Sequence, residues 1–189
     1  MRHAPLDLDA LGVAQRSTRA IVVTTDLETG EPRYIEPQGR DWMDALVASS
    51  SLPMVTRGKV KFRGEWMFDG GYSDPLPLDK ALDMGGRRML VVRTRPMGDH
   101  ASQSYIDSFG MYWHRHNKVL APLFLEGYER YNDTVDRLLR GGDNQGRTWE
   151  EIAPPYPLQT DAWTVGAKEV AQDYRLGVDT ALNWWAHHQ

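Results

Sequence analysis

Short runs of apolar and β-branched residues predict strands in the first half of the chain. The runs from Ala20 to Thr25 and from Arg88 to Thr94 are short and mostly apolar, which is typical of buried strands. Strands of this kind need apolar cover on both faces. Further strands are predicted at Arg33 to Ile35, after a turn at Glu28 to Pro32, and at Val60 to Phe62 and Glu65 to Phe68, which flank Arg63-Gly64 as a hairpin.

Helical segments alternate with these strands. Asp41 is the expected N-cap of a helix that reaches about Ser49. Pro77 suits the first turn of a second helix, which ends at Gly85-Gly86. Strands separated by helices in this way predict an α/β sandwich. The buried face of the first helix would carry Trp42, Ala45, Leu46 and Ser49.

The second half of the chain has a mainly helical pattern. Asn132 is the expected cap of a short helix that ends at Gly141-Gly142, and a last helix begins near Val165. We therefore expect two parts: residues 1–100 as part of a catalytic α/β domain, and residues 101–189 as a helical extension that packs on it. The last helix carries an apolar stripe of Val170, Tyr174, Val178, Ala181 and Trp185.

Composition excludes several classes of protein. The 189 residues carry a net charge of -4, so the chain lacks the broad cationic surface of nucleic-acid-binding proteins. It contains no cysteine, which excludes disulfides and thiolate metal sites and fits a cytoplasmic protein. No apolar run reaches membrane-spanning length. We expect a cytoplasmic location and peripheral contact with a membrane.

The segment from Phe68 to Leu78 holds the strongest candidate for catalytic chemistry. Asp69 ends a predicted strand and is followed at once by Gly70 and Gly71, which permit a sharp turn and leave space beside the carboxylate. A carboxylate held rigidly beside open space suits a general base. The alternative is an ordinary β-turn in which the Asp side chain only bonds its own backbone.

An ordered series of motifs surrounds Asp69 and resembles the C-terminal half of the patatin-like phospholipases, especially the bacterial ones. The resemblance is close over about residues 5 to 95 and looser over the rest of the chain. Its motifs are Ala48-Ser49-Ser50-Ser51-Leu52-Pro53, the Asp69-Gly70-Gly71 turn, Ala81-x-x-x-Gly85 before Met89-Leu90-Val91-Val92, Val23-Thr24-Thr25-Asp26-Leu27-x-Thr29-Gly30-Glu31-Pro32, and, later, Pro154-Pro155-Tyr156-Pro157-Leu158 with Asp173-Tyr174-Arg175-Leu176-Gly177.

The resemblance implies a three-layer α/β/α sandwich and a Ser-Asp dyad in which Asp69 is the base and Gly70 and Gly71 support it. The implied substrate is a lipid or other carboxylic ester, and no cofactor is implied. The family's glycine-rich oxyanion loop and G-x-S-x-G nucleophile elbow are absent from this sequence. Gly71-Tyr72-Ser73-Asp74-Pro75 is not an elbow, because Pro75 stands where a small residue is needed.

We therefore expect a piece of a longer protein, whose missing N-terminal segment supplies the serine and covers the sheet. Alone, such a chain would expose a strand edge and aggregate. The alternative function is a non-catalytic binding module that retains the patatin scaffold.

Weaker candidates accompany Asp69. Asp74 and Asp79 could form a metal site with Asp69, but turn and cap roles are favoured because hard cations need more oxygen donors. His114 and His116 are expected at the surface. The serines at 49–51 are expected to pack near the site and not to act as nucleophiles. The aromatic segments Gly110-Met111-Tyr112-Trp113 and Asn183-Trp184-Trp185 could face lipid, although core and domain packing is the favoured interpretation.

Overall fold

The structure, a computed structural model, describes residues 7–53, 58–102, 108, 110–112, 115–161 and 166–188. The chain divides into two compact units, which are described separately below. The first unit comprises Met1–Pro77 and Ser102–Tyr131, and the second comprises Leu78–Ala101 and Asn132–Gln189. The expected domain boundary near residue 100 stays a prediction.

Helices and strands are mixed along the chain, and the predicted α/β class is confirmed. In chain order they are α1 (Leu8–Ala14), β1 (Val22–Asp26), β2 (Pro32–Ile35), α2 (Asp41–Ser49), β3 (Val60–Phe62), β4 (Glu65–Asp69), a 3-10 helix (Gly70–Tyr72), α3 (Leu78–Asp83), β5 (Arg88–Val92), α4 (Leu120–Leu138), β6 (Thr148–Ile152) and α5 (Ala167–His187).

The first unit contains a four-stranded antiparallel sheet in the order β2-β1-β4-β3. Both predicted hairpins are present, with Thr24 opposite Arg33 and Lys61 opposite Trp66. β1 lies inside this sheet, and Thr24 also pairs with Asp69 on β4. β2 and β4 cover both edges of β1, so the exposed strand edge expected for this chain is not an edge of β1.

Apolar side chains cover both faces of this sheet. Met67 and Phe68 are neighbours on β4, so their side chains point to opposite faces. Phe68 packs with Leu120, Leu123 and Phe124 of α4. The first unit thus has helix, sheet and helix in three layers. On the Met67 side, the buried cluster consists of Val22, Ile35, Trp42, Ala45, Ala48, Phe62 and Met67.

Helix α2 begins one residue earlier than predicted. Asp41 is its first residue and not its cap, and the preceding Arg40 makes no side-chain capping bond. Of the predicted buried face, Trp42 and Ala45 are buried but Leu46 is 40% exposed. Ala48 takes the place expected for Leu46, because the helix rests on the sheet with its Trp42–Ala45–Ala48 side.

The second unit contains a strand that the helical pattern of the C-terminal region did not predict. β6 pairs in parallel with β5. Its sequence is mostly polar, and it is stabilised by a buried ion pair in which the Arg93 and Glu151 side chains are 2% and 3% exposed and lie 2.6 Å apart. Glu151 occupies a buried position of the strand, where an apolar residue would be expected. Its burial depends on Arg93, far away in sequence, so the sequence of β6 lacks the usual strand pattern.

Asn132 was predicted to cap a short helix, and this prediction is wrong. It lies inside α4, which runs from Leu120 to Leu138. Its side chain accepts a hydrogen bond from the Ala101 N–H at 2.7 Å and donates one to the Ala101 carbonyl at 2.9 Å. A polar residue within the helix therefore serves a distant backbone segment and does not mark the helix end.

Two apolar surfaces of the second unit are exposed. On β5, which was predicted to be a buried strand, Leu90 is 47% exposed and Val92 is 72% exposed. The predicted stripe on α5 is present, but Tyr174 is 73% exposed and Trp185 is 60% exposed. Among the described helices, none is both long and apolar enough to cross a membrane. Exposed apolar side chains in this number favour association with another surface.

We expect Val92→Thr to reduce self-association of the chain and its binding of a dye for exposed apolar surface. β5 pairs only with β6 among the described strands, so Val92 lies on a strand with one open edge. Sedimentation velocity and dye fluorescence would measure the effect.

Val13→Thr is the matched control, because Val13 is 62% exposed on α1. This control should leave both signals unchanged. A monodisperse, dye-silent unaltered chain would contradict the expectation.

Candidate active site

The candidate catalytic carboxylate stands where a strand stops and the chain turns. Asp69 is the last residue of β4, and Gly70 begins the 3-10 helix that follows. Asp69 pairs with Thr24 of β1, so its backbone belongs to the centre of the sheet. This is the position that the sequence predicted, at the carboxyl end of a strand.

Three hydrogen bonds fix the backbone around Asp69. The Asp69 N–H donates to the Ser51 carbonyl at 3.0 Å. The Thr25 hydroxyl donates to the Asp69 carbonyl at 2.7 Å, and its oxygen lies 2.8 Å from that of Ser73. Both backbone polar groups of Asp69 have buried partners. The main chain from which the carboxylate side chain extends is therefore held in place.

The serine segment after α2 has a structural role, as the sequence predicted. Ser51 is 2% exposed and its hydroxyl donates to the Val47 carbonyl at 2.6 Å. The Ser49 hydroxyl donates to the Val23 carbonyl of β1 at 2.7 Å. These bonds tie the end of α2 to the sheet. Their hydroxyls are occupied by backbone carbonyls.

The Asp69 carboxylate is partly buried and has no cationic partner among the described residues. One of its oxygens accepts the Gly71 N–H at 2.7 Å. Burial raises the pKa of the Asp69 carboxyl above its ordinary value, and the Gly71 N–H lowers it only in part. A carboxylate that ionises less readily than usual accepts a proton more readily, which is the property that a general base needs.

Gly70 is required because two backbones meet there. A Cβ on Gly70 would lie 2.3 Å from the Val23 carbonyl oxygen and 3.0 Å from the Thr24 nitrogen. The sharp turn expected of the two glycines does not use the left-handed backbone region, since neither Gly70 nor Gly71 has a positive φ. A Cβ on Gly71 would meet only the Asp69 carboxylate, at 3.1 Å.

Ser73 lies at the end of the 3-10 helix and is nearly buried, at 9% exposure. Its hydroxyl faces that of Thr25, in agreement with the prediction of a turn residue. Asp74 accepts a hydrogen bond from the Tyr34 hydroxyl at 2.6 Å. The described residues contain no group of three or more potential metal ligands. Asp74 therefore serves the fold of the turn.

Asp79 belongs to the second unit and is held by an arginine. It accepts two hydrogen bonds from the Arg137 guanidinium, at 2.8 and 2.6 Å. The hydrogen bonds from Arg137 are the main reason that the pKa of the Asp79 carboxyl is lowered. Asp79 lies in the first turn of α3, where a turn or cap role was expected, and its carboxylate forms an ion pair with Arg137.

The histidine and aromatic candidates lie at the surface where the structure describes them. His116 is exposed, as predicted, and His114 and Trp113 lie outside the described residues. Tyr112 is 61% exposed and Trp185 is 60% exposed, so the prediction that these rings pack in a core is wrong. Trp184 stacks on His188 with ring centroids 4.4 Å apart, which stabilises the end of α5.

Asp26 was not identified from the sequence as a residue that stabilises the turn between β1 and β2. Asp26 is 4% exposed and closes the β1–β2 turn, where it accepts the Glu28 and Thr29 N–H groups and pairs with Arg33 at 2.8 Å. Burial acts to raise the pKa of the Asp26 carboxyl, but these donors outweigh it and the pKa is lowered. The signal was the Asp26-x-x-Thr29-Gly30 spacing, which is typical of an Asp-capped turn.

The part of the chain that contains Asp69 is similar in sequence to known proteins. Residues 8–82 match the family model of the patatin-like phospholipases, a match that includes β1, β4 and the turn at Asp69. The resemblance inferred from the motifs is confirmed over these residues. The chain is also 29% identical over 154 residues to the uncharacterized protein YjjU of Escherichia coli (strain K12). That alignment covers 77% of this chain and 41% of YjjU, so the chain spans less than half the length of that relative.

We expect Gly70→Ala to destabilise the first unit by about 1–3 kcal/mol or more, because the new methyl group would force the turn away from β1. Denaturant unfolding would measure the loss.

Gly71→Ala is the matched control. It crowds only the tip of a carboxylate that can rotate, so it should cost less than about 1 kcal/mol. Equal losses in the two variants would show that the approach of the backbones at Gly70 is unimportant.

We expect Asp69→Asn to raise the free energy of unfolding at neutral pH. A raised folded pKa means that the wild-type side chain favours the folded state at low pH and loses this contribution as pH rises through the folded value. Asparagine stays neutral, so the difference between variant and wild type should be largest at neutral pH and shrink as pH falls. Chemical unfolding between about pH 3.5 and 8 measures it.

Asp26→Asn provides the control of opposite sign. The lowered pKa of Asp26 stabilises the fold at neutral pH, and this contribution is lost as pH falls. The Asp26→Asn variant should therefore be less stable than wild type at neutral pH, with a gap that narrows in acid. A loss of stability in Asp69→Asn that is independent of pH would contradict the assignment.

Proposed function

We propose that this chain supplies the general base of a patatin-like serine acyl hydrolase. The observation that carries the proposal is the Asp69 carboxylate. It is partly buried, lacks a cationic partner among the described residues, and lies at a strand end inside the region that matches the family. Buried carboxylates elsewhere in the chain, such as Asp26 and Glu151, are paired with arginines. The surroundings of Asp69, unlike theirs, favour proton transfer.

In the proposed reaction, a serine hydroxyl attacks the carbonyl carbon of a lipid or other carboxylic ester. Asp69 takes the serine proton as the new bond forms. When the tetrahedral intermediate collapses, Asp69 gives that proton to the leaving alkoxide, so the alcohol departs, an acyl-enzyme remains and Asp69 is again a carboxylate. The same carboxylate then takes a proton from a water molecule as the water oxygen attacks the acyl carbon, and returns it to the serine oxygen as the carboxylic acid is released. Proton transfer by a positioned base contributes roughly 10²- to 10⁴-fold to the rate.

The nucleophile in this proposal lies outside the present sequence. Ser73 faces the Thr25 hydroxyl and is followed by Asp74-Pro75, so it lacks the strand-to-helix turn of a nucleophile elbow. A relative of more than twice the aligned length is consistent with a serine on another segment of the whole protein. We propose that this protein is cytoplasmic, with peripheral access to lipid, and that it needs no cofactor.

The present chain alone should not hydrolyse a short-chain chromogenic ester, and a fluorophosphonate probe should not label it. Both reactions need an activated serine, which a base alone cannot replace. Turnover that disappears in Ser73→Ala would show that Ser73 is the nucleophile after all.

The decisive experiment uses the protein extended by its in-frame upstream coding sequence. In that protein Asp69→Asn should lower kcat/KM for the ester by about 10²- to 10⁴-fold and slow fluorophosphonate labelling. Asp74→Asn, five residues further on, is the control and should leave both nearly unchanged. A stop codon upstream, or an extended protein that is never labelled, would instead support a non-catalytic binding module.

A further inference from the structure

A second candidate site lies in the second unit and does not include Asp69. A pocket of about 370 Å³ is formed by the last turn of α4, the loop that follows it and the start of β6. Its lining includes Arg137, Arg140, Arg147 and Asp143. This volume is at the lower end of the range for small-molecule sites, which fits a compact polar group.

The charge of this pocket is opposite to that of the whole chain. Three arginines and one aspartate line it, and Asp79 is paired with Arg137, so one positive charge remains uncompensated, whereas the chain carries a net charge of -4. A general attraction for anions is not expected from a negatively charged chain. The excess of positive charge is therefore local, and it would act at short range on a ligand that enters the pocket.

Two of the three guanidinium groups are already held in place. Arg137 is paired with Asp79, and Arg147 is paired with Asp143 at 2.6 Å. The Asp143 carboxylate also accepts the Gln145 and Arg147 N–H groups, so it shapes the loop that carries Arg147. An arginine has five N–H donors, and neither pair uses all of them. Such donors lose less conformational entropy when a ligand binds.

Arg140 has no comparable structural explanation. Arg137 favours the helix by standing in its last turn, and Arg147 closes the loop. The Arg140 guanidinium is exposed and forms no hydrogen bond or ion pair with any described residue. The side-chain amides of Asn144 and Gln145 are likewise without a partner in the described part of the chain. Among the lining residues, Arg140, Asn144 and Gln145 thus have side-chain donors that no described residue uses.

We infer that this pocket binds an oxyanion of the phosphate class. A tetrahedral phosphate offers several acceptor oxygens, which match the forked donors of Arg140 and the remaining donors of Arg137 and Arg147. Trp149 is the one aromatic residue of the lining and is 5% exposed, so the pocket accepts a polar group and not an acyl chain. The inference is independent of the role of Asp69.

Phosphate-dependent thermal stabilisation tests the site in the chain as it stands. Inorganic phosphate should raise Tm in a saturable manner, whereas chloride at equal ionic strength should not. Arg140→Gln should raise the phosphate concentration for half-maximal stabilisation about tenfold. Arg175→Gln removes the same charge from the exposed surface of α5 and should change nothing.

Equal stabilisation by chloride, or equal responses in both variants, would overturn the inference. Because Arg140 is exposed, its replacement should leave the fold intact, and circular dichroism of Arg140→Gln verifies that the variant is folded.

Two sources of the phosphate group can be separated by further titrations. Glycerol 3-phosphate represents a soluble phosphate ester, and phosphatidylcholine vesicles with and without phosphatidic acid represent a membrane headgroup. Stabilisation by glycerol 3-phosphate that depends on Arg140 supports a soluble ligand. Arg140-dependent flotation with the phosphatidic acid vesicles alone supports a headgroup. A lack of Arg140-dependent binding in both assays, together with no Arg140-dependent stabilisation by inorganic phosphate, overturns the inference.

Discussion

The backbone of Gly70 lies so close to the backbone of β1 that no other residue fits between them. This contact determines where β4 ends and where the following turn begins. Its effect extends to the neighbouring carboxylate, because Asp69 is held by backbone bonds to Ser51 and Thr25 on the strand side and by the Gly71 N–H on the turn side. The candidate site is thus an outcome of how two main-chain segments pack.

The hydrophobic layers reinforce this arrangement. Met67 and Phe68, immediately before Asp69, are anchored in separate clusters on opposite faces of the sheet. A strand held on both faces moves little, so a side chain at its end keeps its direction. Holding the Asp69 carboxylate in this position has an electrostatic cost. The partly buried carboxylate is paired with a single backbone amide, whereas Asp26 and Glu151 face arginines, and stability lost at such a position is typical of sites kept for chemistry.

Local signals in the sequence predicted most of the first unit. The two hairpins follow from turn residues next to short apolar strands, and Asp69 at a strand end follows from the same pattern. The predictions failed where the role of a residue depends on a contact with a residue far away in the sequence. Asn132 serves Ala101, and Glu151 serves Arg93, so neither shows its role to its neighbours. The need for glycine at position 70 was predicted, but its reason was not, because the contact with Val23 exists only in three dimensions.

The parallel pairing of β5 and β6 has a consequence for how the chain is made. Each residue of β5 pairs with one sixty places further on, as Arg88 does with Thr148 and Val92 with Ile152. On a ribosome that adds roughly 5–20 residues per second, β5 emerges several seconds before its partner strand exists. During that interval Arg93 has no Glu151, and β5 lacks β6, its one partner among the described strands. Nascent chains of this protein therefore pass through a stage at which a chaperone that binds short apolar segments would find β5 open.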